Sequence, residues 1–393
     1  MDLLLAALFW GMGGLIVYTY LGYPALLWAL ARLRPRPPMA HLPDDAVPTA
    51  TVIVAAHNEA GLIAAKLANG AALDYPAGKL DFLYGSDGST DATEALIRQL
   101  GGPNVRLCVF APRRGKAQVL NDLAPQARGE VLIFTDANTL FDPAAARRLV
   151  RHFVDPRVGG VCGRLVLHRP EAPPGQAPLA EADEGLYWRY ENKIKGWEGQ
   201  LGILSAASGA IYAVRRELFR PLPNGRLISD DLLIAAGVLA QGRAFTFEPE
   251  AVAFEALADE TRDALRRKIR VGEAAYNVIP HIWPLLMPWR GGVAWMFWSH
   301  KMVRWAVPFL LLGLLAVSVA LWPHPVYGLA LAAQLVGYAA AALGYWLEAR
   351  GRRPGWLSFP YYFAGANLAL LLGFLRSVAR PTGPAWRRHG RQG

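Results

Sequence analysis

Cysteine is almost absent from this 393-residue chain, which contains only Cys108 and Cys162. Two cysteines exclude a disulfide framework and a cysteine-rich zinc site, and so few are typical of a reducing compartment. Two nucleotide-binding motifs are also missing, because neither G-x-G-x-x-G after a strand nor G-x-x-x-x-G-K-S/T occurs. The dinucleotide fingerprint and the P-loop are therefore excluded. A bound phosphate would need another partner, such as a divalent cation.

Charged residues are missing from three long runs, Leu3–Ala31, Trp305–Leu347 and Gly355–Leu375. Each run is long enough to cross a bilayer, and the 43-residue middle run is long enough to cross twice. Hydrophobic residues make up 53% of the chain, more than one soluble domain normally carries. The sequence therefore predicts an integral membrane protein with one soluble domain.

The formal charge is +10, from 41 basic and 31 acidic residues. Basic residues collect at the cytoplasmic ends of membrane helices, and Arg32, Arg34 and Arg36 directly follow the first run. We attribute the basic excess to membrane flanks, predict no nucleic-acid partner, and place the soluble domain in the cytoplasm. The first run lacks a basic leading region, so we interpret it as a retained anchor and not a signal peptide.

Two prolines in Trp322–Pro325 divide the middle run into predicted helices 310–321 and 326–347. The loop 348–354, with three arginines, is then expected on the cytoplasmic side. A fourth span at 358–375 would put the basic tail after Arg376 outside, against the positive-inside tendency. The side of the membrane on which the tail lies stays open.

Between the apolar runs, short β-rich segments alternate with helical ones, which is typical of a doubly wound α/β sheet with right-handed crossovers. The predicted strands are 51–54, 80–84, 105–110 and 131–135, and the predicted helices are 60–71, 91–100, 116–124, 143–153 and 231–239.

Polar clusters follow three of these strands: His57-Asn58-Glu59, Ser86-Asp87-Gly88-Ser89 and Asp136-Ala137-Asn138. Ligands in such sheets bind beyond the carboxyl ends of the strands, so the clusters predict one shared site. Each cluster alone is also typical of a turn or a helix cap. Asp136 and Asn138 offer the oxygen ligands that Mg²⁺ or Mn²⁺ prefers, and such a cation can bridge a diphosphate.

Further motifs follow in the order Gly115-Lys116-Ala117 with Asn121, Ser208-Gly209-Ala210 and Ser229-Asp230-Asp231. Together with the polar clusters they resemble the membrane-embedded branch of the inverting family 2 glycosyltransferases, which includes cellulose, hyaluronan and poly-N-acetylglucosamine synthases. The resemblance covers about residues 49–276. It implies an α/β fold of the GT-A type, a doubly wound mixed sheet (Rossmann-like), plus transmembrane α-helices.

The resemblance also implies roles for individual residues. Asp231 matches the catalytic base. Ser229, Asp230 and Asp231 could also simply cap a helix, but the base role is favoured because a cap needs only one such residue. Asp136 and Asn138 match the cation-binding positions. The donor-binding set that the resemblance implies is His57, Glu59, Asp87, Lys116 and Arg270.

Three departures from the family pattern stand out. Asn138 replaces an Asp, which removes one charge from the cation site while keeping an amide oxygen. The Gln-x-x-Arg-Trp motif of the processive synthases becomes Arg267–Val271, which keeps Arg270 but lacks the Gln and the Trp. Ser86 stands where the family has the first Asp of its turn.

Tryptophans, prolines and basic residues alternate between Leu265 and Val303, which suits amphipathic helices in the headgroup region. The predicted domains are a membrane helix 1–31, a cytoplasmic GT-A domain 47–275, interfacial helices 276–304, about three membrane helices 305–376 and a basic tail 377–393.

The predicted function is inverting transfer of a sugar from a nucleoside-diphosphate sugar to a glycan acceptor, in exopolysaccharide or cell-envelope synthesis. The enzyme is expected in the inner membrane, with Mg²⁺ or Mn²⁺ and membrane lipids as partners. Single addition to a lipid-linked acceptor is the alternative, favoured by the lost Gln and Trp. An inactive scaffold subunit is another, favoured by Asn138. A channel or transporter is disfavoured because the predicted spans contain no ionisable residue that marks a conduction path.

Overall fold

The computed structural model describes residues 2–34, 42–168, 185–256, 261–352 and 355–379. These residues form two compact units. A sheet unit lies within residues 27–257 and 281–293, and a helical unit lies within 1–26, 258–280 and 294–381.

The strands of the described residues are β1 Ala50–Ala56, β2 Leu80–Asp87, β3 Val105–Phe110, β4 Val131–Asp136, β5 Thr139–Phe141, β6 Val158–His168, β7 Tyr212–Arg215 and β8 Ala244–Ala256. The α-helices are α1 Asp2–Val17, α2 Tyr23–Arg32, α3 Ala60–Ala71, α4 Thr93–Leu100, α5 Lys116–Leu123, α6 Ala145–Val150, α7 Gly185–Gln200, α8 Asp230–Ala240, α9 Thr261–Ile282, α10 Gly292–Met296, α11 Val303–Ala320, α12 Pro325–Glu348 and α13 Ser358–Ala379.

The described strands form one mixed sheet in the order β3-β2-β1-β4-β7-β6-β8-β5. Strands β3, β2, β1 and β4 are parallel, whereas β7 runs antiparallel to both β4 and β6. Every residue of β1 is buried, which explains its continuous apolar sequence. The doubly wound mixed sheet that the sequence predicts is confirmed.

Three strands run further than their patterns indicate, the first being β1, which spans Ala50–Ala56. β2 continues through Ser86 and Asp87, and β4 continues to Asp136. Parallel pairing extends that far, because Ser86 is in register with Ala56 and Asp87 with Phe110. Ser86 and Asp87 are therefore buried strand residues and not members of an exposed turn.

Two predicted helices begin later in the structure. α4 begins at Thr93 and not at Asp91, because the Asp91 side chain accepts hydrogen bonds from the backbone N–H groups of Thr93 and Ala60. The helix predicted over 143–153 is α6 followed by a 3₁₀ turn, Arg151–Val154. Aspartate outside the first turn supplies the missing acceptors at a helix start, which accounts for the first difference.

Gly85 permits close packing of α5 on β2, next to Asp87. A Cβ at this position would lie 2.5 Å from Val119 Cγ1 and 2.9 Å from Leu123 Cδ1. We expect Gly85→Ala to lower the free energy of unfolding by about 1–3 kcal/mol through overpacking. Thermal unfolding of the purified protein, followed by circular dichroism, measures the effect. Gly61→Ala on α3, with nothing within 4 Å of the added Cβ, is the matched control. An unchanged melting temperature for Gly85→Ala would contradict the expectation.

Four helical stretches of the described residues are long and apolar enough to cross a membrane. They are Leu3–Arg32, Gly292–Ala320, Pro325–Glu348 and Gly355–Ala379. The predicted break at the two prolines lies between the second and third stretches. The second stretch begins at Gly292, within the predicted interfacial segment 276–304, because the helix continues through a basic, tryptophan-containing sequence. The segment 276–304 thus contains the end of α9, two 3₁₀ turns and the start of a candidate span.

Within the helical unit, two π-helical segments contact each other, Tyr18–Gly22 and Phe297–Met302. Tyr18 Oη lies 2.7 Å from Ser299 Oγ, and Thr19 Oγ1 donates to the Ser299 carbonyl at 2.7 Å. Trp295 Nε1 donates to Tyr18 Oη at 2.9 Å. These polar groups of two candidate spans satisfy one another, as an apolar surrounding requires.

Helices α9 and α13 also cross closely within the helical unit. A Cβ on Gly272 would lie 3.0 Å from the Ala369 carbonyl oxygen, and one on Gly373 would lie 2.6 Å from the Glu273 backbone nitrogen. The two backbones therefore meet at a pair of glycines, a contact typical of helices packed in membranes.

Candidate active site

The first two polar clusters meet at the carboxyl ends of β1 and β2. His57 Nδ1 lies 2.8 Å from the Asp87 carbonyl oxygen, and Asn58 Oδ1 accepts from the Thr90 backbone N–H at 2.8 Å. Asn58 has a φ of +54°, which turns the chain sharply after β1. The buried Glu59 follows this turn, and its backbone N–H donates to Thr93 Oγ1 at 2.8 Å.

Asp87 holds the loop that precedes α5. Its Oδ1 accepts from the Arg114 backbone N–H at 2.7 Å, and its Oδ2 accepts from the Gly115 backbone N–H at 2.8 Å. Gly115 has a φ of +93°, which favours glycine there. Asp87 thus fixes the start of the helix whose first residue is Lys116, while its predicted contact with the nucleotide remains a prediction.

Lys116 links two acidic residues from distant parts of the chain. Its Nζ lies 2.9 Å from Asp136 Oδ1 and 3.0 Å from Asp230 Oδ2. Burial disfavours the charged form of Lys116, but the charges of Asp136 and Asp230 outweigh burial and raise its pKa. Burial raises the pKa of Asp230, with Lys116 opposing and the carboxylates of Asp231 and Asp136 adding to the effect. The ammonium group stays charged and balances a cluster of carboxylates.

Asp231 presents one oxygen to the same space. Its Oδ1 accepts a short hydrogen bond from Ser229 Oγ and a 2.9 Å bond from the Leu232 backbone N–H. Ser229 occupies the N-cap position of α8, yet its hydroxyl makes no capping bond to the backbone. The hydroxyl thus serves Asp231 and not the helix end, which weighs against a purely capping role for the triplet.

Gly209 marks where the acidic groups converge. A Cβ built on Gly209 would lie 3.7 Å from Asp136 Oδ2, 3.9 Å from Asp231 Oδ2 and 3.9 Å from Lys116 Nζ. Two carboxylate oxygens and an ammonium group therefore border one small space that glycine leaves open. The structure brings Lys116, Asp136 and Asp231 together, and the role of each in a shared site remains a prediction.

The β4–β5 connection carries Asn138, whose Nδ2 donates to Glu255 Oε1 at 3.0 Å. Lys66 supports this connection from α3, since its Nζ donates to Thr135 Oγ1 at 3.0 Å and to the Thr139 carbonyl at 2.5 Å. Burial lowers the pKa of Lys66 to about 7, and the charge of Asp136 opposes this shift. Both ends of the Asp136–Asn138 turn are thereby held by one buried side chain.

Arg270 lies on α9, in the helical unit, and its side chain is half-buried. Its predicted contact with a phosphate therefore remains a prediction. No cluster of three or more His, Cys, Asp or Glu side chains suited to a metal is found within the described residues.

The residues at the site nevertheless fit a divalent cation that is bound partly by the protein and partly by substrate phosphates. Mg²⁺ is usually bound through one or two carboxylates together with substrate phosphates, and not in an all-protein cage. Asp136 Oδ2 faces the space beside Gly209, and Asn138 adds an amide on the same turn. This donor set suits a cation that the protein shares with a diphosphate.

Gly209→Ala tests whether the space must stay open. All three distances from the added Cβ are ordinary van der Waals contacts, so we expect the melting temperature to change by no more than about 1 °C. Any substrate group entering the space would be displaced, and a misplacement of about 1 Å costs up to about 100-fold in rate. We expect transfer to fall by roughly 10- to 100-fold in an initial-rate assay. An unaltered rate would place the reacting groups elsewhere.

Three contributors escape the sequence prediction of the site. Asp230 belongs to the Ser-Asp-Asp triplet, so the triplet itself signalled it, although only Asp231 was assigned a role. Lys66 and Glu255 carry no motif, since Lys66 lies 69 positions from Thr135 and Glu255 lies 117 positions from Asn138. Packing of α3 against β5 brings Lys66 to the turn, and the pairing of β5 with β8 brings Glu255 there.

Comparison with known proteins agrees with this fold. Residues 51–222 match the sequence profile described as Glycosyl transferase family 2. This part of the sheet unit is therefore similar to family 2 glycosyltransferase domains, and the fold is of the GT-A type.

Among curated proteins, the poly-beta-1,6-N-acetyl-D-glucosamine synthase of Staphylococcus aureus is 24% identical over 233 residues, covering 58% of this chain and 55% of the relative. The synthase of Staphylococcus epidermidis is 20% identical over 239 residues, covering 60% of this chain and 56% of the relative. The chain thus spans about half the length of the curated relatives it matches.

Among solved structures, a mannosyltransferase from Pyrobaculum calidifontis in complex with GDP-mannose and Mn²⁺ superposes with a TM-score of 0.67. It is 23% identical, and the superposition covers 94% of this chain and 99% of that one. The likeness extends through the candidate membrane spans as well as the sheet.

Proposed function

We propose that this membrane protein is an inverting glycosyltransferase that moves a sugar from a nucleoside-diphosphate sugar to a glycan acceptor, in exopolysaccharide or cell-envelope synthesis. The observation that carries the proposal is the meeting of Lys116, Asp136 and Asp231 around Gly209. A base, a charge for the leaving group and an oxygen ligand for a cation are the groups that this transfer demands.

Asp231 is proposed as the catalytic base. Both hydrogen bonds that Asp231 accepts from the described residues go to Oδ1, so Oδ2 is proposed as the atom that takes the proton from the acceptor hydroxyl. The acceptor oxygen attacks the anomeric carbon, and the bond from that carbon to the phosphate oxygen breaks on the opposite face. The configuration is inverted, the diphosphate leaves with the bonding electron pair, and the proton remains on Asp231.

Stabilisation of the leaving diphosphate falls to the groups on the other side of the space. Lys116 carries its positive charge there and is oriented by Asp136 and Asp230. Asp136 and Asn138 would hold Mg²⁺ or Mn²⁺, which supplies Lewis-acid stabilisation of the developing negative charge when it is bound. His57, Glu59 and Asp87 are proposed to contact the nucleotide at the ends of β1 and β2, and Arg270 is proposed to face a phosphate.

The proposed location of the sheet unit follows from the donor that it uses. Nucleoside-diphosphate sugars are cytoplasmic metabolites, so we propose that the sheet unit faces the cytoplasm from the inner membrane, with lipids around the four candidate spans. The basic residues Arg32 and Arg34 after the first span support this orientation.

A donor screen tests the proposal. The full chain in nanodiscs is incubated with UDP- and GDP-linked sugars, with and without Mn²⁺ or Mg²⁺, and release of the nucleoside diphosphate is measured. Release that requires both one particular donor and the cation is expected. No release with any donor, in the presence of lipid and glycan acceptors, would overturn the transferase proposal.

Single addition to a lipid-linked acceptor is the second candidate. It is favoured by Arg267–Val271, where the Gln and Trp of the processive synthases are missing. Product length separates the two, since a ladder of long chains supports polymerisation and one added sugar per lipid supports single transfer.

A further inference from the structure

A hydrogen bond joins the Asp136–Asn138 turn to strand β8, and neither of its two residues is proposed to be catalytic. Asn138 Nδ2 donates to Glu255 Oε1 at 3.0 Å, and Glu255 is buried, with 7% of its surface exposed. The contact follows from strand register, because Thr139 of β5 is directly opposite Glu255 of β8. The strand therefore delivers a carboxylate to the side chain that departs from the family pattern.

The Glu255 carboxylate determines the orientation of the Asn138 side-chain amide. An ionised carboxylate only accepts hydrogen bonds, so it selects the amide nitrogen and not the amide oxygen. Without such a partner, the two ends of an asparagine amide are nearly equivalent in shape and the group is free to flip. With Nδ2 bound to Glu255, the amide oxygen Oδ1 is left without a hydrogen bond from the described residues and can serve as a ligand.

The hairpin that carries this arrangement is held on its other side as well. Asn69 on α3 donates from Nδ2 to the Phe141 carbonyl and accepts from the Phe141 backbone N–H, both at 2.8 Å. Lys66 binds the Thr139 carbonyl. The β5 backbone is thus fixed between α3 and β8, so the distance between Asn138 and Glu255 is set by the fold.

We propose that Glu255 is a positioning residue that orients the Asn138 amide oxygen toward the divalent cation. The inference rests on the proposed function and deepens it, because it accounts for Asn138. An Asp at 138 would place a second carboxylate against Glu255, and two like charges in contact are destabilising. Asn138 and Glu255 are then a complementary pair. Position 138 lacks the negative charge of the family pattern, and a buried negative charge lies instead at Glu255 on β8. Partners that orient metal ligands typically change metal affinity by 10- to 100-fold when they are lost.

The test is Mn²⁺ binding to the full chain in nanodiscs, followed by the electron paramagnetic resonance signal of free Mn²⁺, with the metal alone as the probe. Glu255→Gln should raise the Kd for Mn²⁺ by about 10-fold or more, because a glutamine amide can donate to Asn138 Oδ1 and compete with the metal. Asn138→Asp alone should also raise the Kd. The exchanged pair, Asn138→Asp with Glu255→Gln, should restore wild-type affinity or better, since the introduced glutamine would donate to an anionic ligand.

Glu250→Gln is the matched control, because it removes the same charge from the same strand at a residue whose side chain is 62% exposed. It should leave the Kd unchanged. Thermal unfolding of each variant shows whether it is folded, and the exchanged pair remains informative if Glu255→Gln alone is unstable.

Two results overturn the role of Glu255: a wild-type Kd in Glu255→Gln, or an exchanged pair no better than the sum of its single changes. Asp136→Asn separates this failure from a failure of the cation site. If Asp136→Asn has the same Kd for Mn²⁺ as the wild type, the proposed cation site and the proposed role of Glu255 are both wrong. Donor turnover measured without any cation then decides whether the transferase proposal survives.

Discussion

Asp231→Asn is expected to lower the rate of sugar transfer by about 10²- to 10⁴-fold, the usual contribution of a positioned general base. The amide keeps the size of the side chain and can still accept the Leu232 backbone N–H at its oxygen. It cannot take a proton from the acceptor hydroxyl. Initial rates of nucleoside diphosphate release, measured with saturating donor and acceptor, report the loss.

Donor affinity provides the internal check on this result. Asp231 is proposed to act on the acceptor, so the Kd for the donor should change little in the same variant. Asp45→Asn is the control, since Asp45 is exposed on the sheet unit and outside the proposed site. Transfer by Asp231→Asn within 10-fold of wild type would remove Asp231 as the base and favour its interpretation as part of a helix start.

Asp136→Asn is expected to reduce transfer by about 100-fold or more. Lewis-acid stabilisation is worth several kcal/mol, and each 1.36 kcal/mol is a factor of about ten in rate. The change removes the only carboxylate on the Asp136–Asn138 turn and a partner of Lys116. The measurement is the initial rate across a Mn²⁺ titration, in which the apparent affinity for the cation should fall together with the maximal rate.

Asp122→Asn is a suitable control for Asp136→Asn. Asp122 lies on α5, the helix that begins with Lys116, and forms a surface ion pair with Arg114. Its loss should matter little, because exposed ion pairs contribute at most about 1 kcal/mol. A Mn²⁺ dependence identical to wild type in Asp136→Asn would show that the cation binds elsewhere or is not used.

Sequence patterns predict the sheet well because its central strands are buried on both faces. The apolar run of β1 and the polar residues that follow it are sufficient to predict that His57 and Glu59 lie at the carboxyl end of a central strand. The position of Asp136 is predictable for the same reason, since parallel strands end together.

Side-chain partners are less predictable, because they depend on register between distant segments. Asp87 carries a recognisable motif, but no pattern indicates that both of its oxygens bind the backbone before Lys116. Glu255 becomes a partner of Asn138 only through the pairing of β5 with β8. The helical stretch that contains the second candidate span begins at Gly292, before the charge-free run starts at Trp305, because the helix continues through basic residues and tryptophan.

The glycine pair at Gly272 and Gly373 sets the rotational phase of α9. Backbones in contact at that point leave no room for α9 to turn about its own axis, so the direction in which Arg266 and Lys268 emerge is fixed relative to α13. An α-helix turns about 100° per residue. A single residue inserted between 268 and 272 would therefore rotate Arg266 and Lys268 about the axis of α9 by about a quarter of a turn, without any change in the two side chains.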